Sequence, residues 1–131
     1  MKYLGIDYGK RKVGLALSEG KLARSLKVLS IKGLEDGLMQ VSKYIGEEMI
    51  ESVVVGMPES GESKSIAKKF IKSLEQSLKG TKIKVVEIDE TLSSQDAKNK
   101  MIEMGVKKKK RQKEDSYSAA EILQNYLDTL K

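Results

Sequence analysis

Cysteine and histidine are both absent from this 131-residue chain. Their absence excludes zinc sites built on those ligands, haem or iron–sulfur ligation through them, Ser-His-Asp triads, thiol nucleophiles and histidine general bases. Chemistry is left to carboxylates, hydroxyls, lysines or a hard metal ion. Proline occurs once, tryptophan is missing and aromatic residues make up only 5% of the chain, so few rings are available for stacking on bases. No apolar run approaches the roughly 18 residues a membrane span needs. The opening Met1-Lys2-Tyr3-Leu4-Gly5 also lacks the apolar stretch and cleavage signal of a secretory leader. The expectation is a single domain over residues 1–131 in the cytoplasm, large enough to hold a core without disulfides.

What the chain has in excess is positive charge, and that excess is concentrated. Lysine and arginine outnumber acids 25 to 19. Lys107, Lys108, Lys109, Lys110, Arg111 and Lys113 form one run, and outside it acids and bases balance. A run of like charges repels itself and gains most by meeting a polyanion, so nucleic acid is the expected partner and no membrane is implied. A solvated loop is the alternative for such a run in isolation.

Periodicity predicts an α/β chain. Tyr3–Tyr8 alternates, with Leu4, Ile6 and Tyr8 on one face and Tyr3, Gly5 and Asp7 on the other. A turn at Gly9-Lys10-Arg11-Lys12 leads to a second strand in which Val13, Leu15 and Leu17 alternate with Gly14, Ala16 and Ser18. A third short strand at Leu26–Ser30 completes an antiparallel meander. Leu34, Leu38, Val41, Ile45 and Met49 recur at helical spacing, and Ser52–Gly56 reads as a central strand buried on both faces. Met57–Ser63 reads as a loop, followed by a helix with Ile66, Phe70, Leu74 and Leu78 in one stripe. Ile83, Val85, Val86 and Ile88 predict another strand. Ser93 with Asp96 resembles a capping box for a helix ending near Gly105, and a last helix is expected from about Asp115. The order indicates a mixed sheet flanked by helices.

Three carboxylates stand out against this pattern. Asp7 shares the Gly5 face of a strand that should be central, where an unpartnered carboxylate is costly. Glu90 follows a strand directly, while Asp89 beside it should point the opposite way. Asp115 stands four residues before Ala119 and continues the stripe expected to face the sheet. Singly, each could be a turn former or a helix cap. Together they lie at the ends of different elements that can converge, and clustered carboxylates repel unless a cation neutralises them. With no histidine or cysteine, the fitting cation is Mg²⁺ or Mn²⁺.

The stretches LGIDYGKRKVGLALS, VVVGMP, IDETLSSQDA and KKKKRQKEDSYSAAEILQNYL, in that order, resemble the YqgF family, also called RuvX. This is a Holliday-junction resolvase-like and pre-16S rRNA nuclease group within the RNase H-like superfamily. The resemblance implies an RNase H-like fold with a mixed five-stranded sheet, and a divalent metal held by Asp7, Glu90 and Asp115 as the catalytic residues. It departs from the family pattern at Thr91, where arginine is usual, at Ser93 and Ser94, where threonines are common, and in a shorter, more acidic loop after GMP.

The expected chemistry is metal-dependent phosphodiester hydrolysis, with Lys10, Arg11 and Lys12 and the Lys107–Lys113 run holding phosphates. Ribosomal RNA maturation and cleavage of four-way DNA junctions compete as its setting. A homodimer would favour the junction and a monomer the RNA. A binding protein without catalysis is a further alternative. Nucleotide hydrolysis is disfavoured, because the P-loop pattern fails at Gly14–Gly20, where five residues intervene and Leu22 follows Lys21, and at Gly61, which is followed by Glu62.

Overall fold

The computed structural model describes residues 1–89 and 114–130, with residues 114–116 described as helix without their side chains. Five strands, β1 (Tyr3–Tyr8), β2 (Lys12–Ser18), β3 (Arg24–Ser30), β4 (Ser52–Met57) and β5 (Lys84–Asp89), form one sheet in the order β3-β2-β1-β4-β5. β1, β2 and β3 make the antiparallel meander, and β4 and β5 join in parallel. Strand β1 is therefore the middle of a mixed sheet, as its alternation and the short apolar run of β4 predict.

The period of two in β1 and β2 divides the core into two layers. Leu4, Ile6, Tyr8, Val13, Leu15 and Leu17 pack with α1 (Leu34–Glu47) and α2 (Gly61–Ser77) on one face. Ala16 and Val54 pack with Ala119, Ile122, Leu123 and Leu127 of α3 (Glu114–Thr129) on the other. The α3 face of the meander is built from small residues, which lets the helix approach closely. A Cβ on Gly5 would lie 2.7 Å from the Cβ of Leu123. The turn between β2 and β3 is fastened to the same helix by Gln124, whose Oε1 accepts from Ala23 N–H at 2.8 Å and whose Nε2 donates to the Lys21 carbonyl at 2.9 Å.

Three expectations need correction. Met49 does not continue the α1 stripe: the helix stops at Glu47, and Met49 has φ of 54° with its side chain in solvent. Its hydrophobicity mimics helical spacing, but the backbone has already turned. The loop after β4 is shorter than expected, because α2 begins at Gly61 and its polar first turn faces water. The third strand starts at Arg24, two residues early, since its exposed first residues on the sheet edge carry no apolar signal. The helix expected between Ser93 and Gly105 lies outside the described residues. Among those described, no helix is long and apolar enough to cross a membrane.

Candidate active site

Asp7 enters the site through strand parity. On its side of β1, Tyr3 packs edge-on against Tyr126 with ring centroids 6.0 Å apart, and Gly5 lies under Ala119 and Leu123. Moving along β1 from Tyr3 to Gly5 thus moves backwards along α3, so strand and helix are antiparallel. Asp7 lies two residues beyond Gly5, about 7 Å further on. That distance equals four to five helical residues at about 1.5 Å each, which brings Asp7 level with the first turn of α3, where residue 115 stands. Directly across the ladder Asp7 faces Gly14, which adds no side chain opposite the carboxylate. Asp7 is accordingly partly exposed, in contrast to the buried Leu4 and Ile6 before it.

A hollow of about 320 Å³ opens at this point, lined among the described residues by Asp7, Gly9, Lys10, Arg11 and Lys12. The turn that forms its rim is held at both ends. Gly9 N–H donates to the Lys12 carbonyl at 2.9 Å, and Ile31 N–H donates to the Arg11 carbonyl at 2.9 Å. A Cβ at Gly9 would lie 2.8 Å from that same Lys12 oxygen, so the tight turn requires glycine. The result is one carboxylate sharing a hollow with three exposed cations, a donor set of oxygen for a hard cation and ammonium and guanidinium groups for phosphate.

Of the expected carboxylates, only Asp7 has a described side chain. Glu90 lies outside the described residues, one position past the end of β5, and Asp115 falls in the backbone of α3 without a described side chain. Among the described residues no three acids gather at one point. Val86 and Ile88 of β5 pack on the α3 face, which is the alternation expected of a strand leading towards Glu90 on that side. The Lys107–Lys113 run lies outside the described residues, whereas Lys10 and Arg11 stand in the expected turn and Lys12, expected in that turn, opens β2.

The sequence reading missed Glu62. Its Oε1 lies 3.2 Å from Lys10 Nζ and joins the rim to the start of α2. Its only sequence signal is the acidity of the segment after Pro58, since nothing local links residues 52 positions apart. The pair is exposed on both sides and contributes at most about 1 kcal/mol, so a phosphate can displace the carboxylate.

The family profile described as "RuvX: Holliday junction resolvase" matches residues 1–129. A protein of Acetivibrio thermocellus named "Putative pre-16S rRNA nuclease" is 36% identical, with 98% of this chain and 96% of that protein covered. One of Staphylococcus epidermidis with the same name is 34% identical, over 99% and 97%. Among solved structures, the fowlpox virus Holliday junction resolvase matches with a TM-score of 0.67 at 12% identity, over 98% and 99% of the two chains. RuvC of Thermus thermophilus in complex with a Holliday junction substrate matches at 0.65 and 16%, over 98% and 96%. These two likenesses establish a resolvase-type fold.

Proposed function

Since this chain belongs to the RuvX family, we propose that it is a phosphodiester-cleaving nuclease of the cytoplasm that trims the 5′ end of the small-subunit rRNA precursor. The observation that carries the reading is the half-buried Asp7 carboxylate at the end of the middle strand, in a hollow lined also by Lys10, Arg11 and Lys12. The name shared by relatives of about one-third identity over nearly the full chain supports the RNA substrate.

Asp7, Glu90 and Asp115 would hold the metal, Mg²⁺ or Mn²⁺, which supplies an activated water and stabilises the leaving oxygen. The level of Asp7 with the first turn of α3 and the parity of β5 both support this trio. Asp7, on the middle strand, is the central ligand. Lys10, Arg11 and Lys12 grip phosphates beside it, and the Lys107–Lys113 run adds sequence-independent attraction for the backbone.

The family description favours a second reading, in which the substrate is a four-way DNA junction. Both are tested together by incubating labelled precursor rRNA leader and a four-way junction with Mg²⁺, Mn²⁺ or EDTA, using wild type and Asp7→Asn. The expected result is metal-dependent cutting of the leader that is lost in the variant while binding persists. Cutting of the junction alone would move the assignment to DNA. Cutting that survives Asp7→Asn overturns the metal trio, and binding without cutting under every metal identifies a non-catalytic nucleic-acid-binding protein.

A further inference from the structure

We infer that α2 carries a second phosphate-binding track, continuous with the Asp7 hollow, along which one arm of the nucleic-acid substrate lies. The inference rests on the nuclease reading for the identity of the polyanion. Lys64, Lys68 and Lys72 recur every four residues and so form one row on the outer side of α2, with Lys69 beside it. Lys68, Lys69 and Lys72 are exposed and Lys64 partly so. None of the four forms an ion pair among the described residues. Glu75, one turn past Lys72, is not paired with it either.

The charges are segregated between neighbouring helices. Helix α2 contains four lysines and two acids, whereas α1 on the same sheet face contains three acids and one lysine. Balanced composition outside the basic run therefore hides a cationic ridge that only the fold assembles. Lysines one turn apart repel each other, and an aligned polyanion relieves that repulsion while releasing its own counterions.

The ridge connects to the site through Lys10. That residue lines the Asp7 hollow on the α3 side of the sheet and also a second hollow of about 220 Å³ with Tyr8, Glu62, Ile66 and Lys69 on the α2 side. Because Asp7 and Tyr8 are consecutive on β1 and face opposite ways, Lys10, just past the end of that strand, lies between the two. From Lys64 to Lys72 the row extends about 12 Å. That is the rise of three to four phosphates along one strand. A backbone leaving Asp7 thus meets Lys10, Lys69 and then the row.

The test is equilibrium binding of the full chain to a labelled 30-base-pair DNA duplex and its RNA counterpart, in EDTA, across 50–300 mM NaCl. Lys64→Gln/Lys68→Gln/Lys72→Gln is compared with a control of equal charge change placed elsewhere, Lys27→Gln/Lys43→Gln/Lys82→Gln. For the row variant, the slope of log affinity against log salt should fall by about 2 to 3, with at least about tenfold weaker binding at 50 mM. The control should change the slope by less than about 1. Whichever duplex shows the larger difference identifies the arm as DNA or RNA. Equal slopes for the two variants, with wild type binding normally, overturn this track alone. Failure of wild type to bind either duplex also overturns the track, while the nuclease reading is decided separately by the cleavage assay.

Discussion

Gly5 of β1 lies so close beneath α3 that an added Cβ would stand 2.7 Å from the Leu123 Cβ and 2.9 Å from the Ala119 carbonyl oxygen. The second contact is with backbone, which cannot swing aside as a flexible side chain can. Gly5→Ala must therefore push the helix off the middle strand. Overpacking of this kind costs about 1–3 kcal/mol, to be read as a lower urea midpoint with an unchanged slope. The same displacement moves the first turn of α3 relative to Asp7, so cleavage should fall further than the loss of folded protein accounts for. An unchanged midpoint would mean the helix is not held at this distance.

How much of this was legible beforehand depends on the range of the interaction. The faces of β1 and β2 follow from a period of two, so the division between Leu4, Ile6 and Tyr8 and Tyr3, Gly5 and Asp7 could be read directly, but that α3 is the helix covering the Asp7 face could not. Helix α3 was readable in the same way from Ala119, Ile122 and Leu123. Relationships between distant segments were not. Lys10 with Glu62, and the join between the Asp7 hollow and the α2 lysines, depend on β4 lying parallel beside β1, which brings the start of α2 to the β1–β2 turn. Met49 was misread because hydrophobic spacing says nothing about where the backbone leaves the helix.

Tyr8 should make the fold sensitive to alkali. Its ring is 4% exposed and stacks on Phe70, with centroids 4.1 Å apart and planes 13° apart. Burial raises its pKa above the ordinary 10.0, and the negative charge of Asp36 raises it further. The folded state therefore keeps the phenol proton where the unfolded chain has lost it. Stability from this group is fully present below pH 10, and declines as pH rises from there through the folded pKa. Urea unfolding across pH 9–11 should show a steeper alkaline decline for wild type than for Tyr8→Phe. Asp36→Asn should lower the Tyr8 titration point, followed by tyrosinate absorbance. Parallel declines in wild type and Tyr8→Phe would contradict the assignment.

At the end of α1, Met49→Gly should stabilise the protein. Ile50 N–H donates to the Ile45 carbonyl at 3.0 Å and Met49 N–H to the Gly46 carbonyl at 3.3 Å, the paired bonds of a Schellman ending. Such an ending puts its left-handed residue at Met49, with φ of 54°. A side chain there costs about 1–2 kcal/mol, and glycine returns part of that to the flexibility of the unfolded chain. Because the methionine side chain is 77% exposed, its removal forfeits little burial. A net gain of about 0.5–1 kcal/mol follows, visible as a higher thermal midpoint. A lower midpoint would show that Met49 makes a contact worth more than the strain.

Lys68→Glu separates stability from binding, because the lysine row acts on the two in opposite directions. In α2 the substitution replaces two repulsive one-turn pairs, with Lys64 and Lys72, by two attractive ones. Each such pair changes helix stability by about 0.2–0.5 kcal/mol, and the orientation with Glu before Lys72 is the better one. The sum of about 1 kcal/mol at low salt should appear as a raised urea midpoint that shrinks towards wild type as ionic strength screens the pairs. Nucleic-acid affinity should fall over the same range, since one phosphate contact is lost and a negative charge now faces the backbone. A solvated face with no ligand would show the stability gain and no loss of binding. Loss of both would mean that residue 68 packs against something the helix needs, so the two measurements on one variant decide whether the row is a track for phosphates.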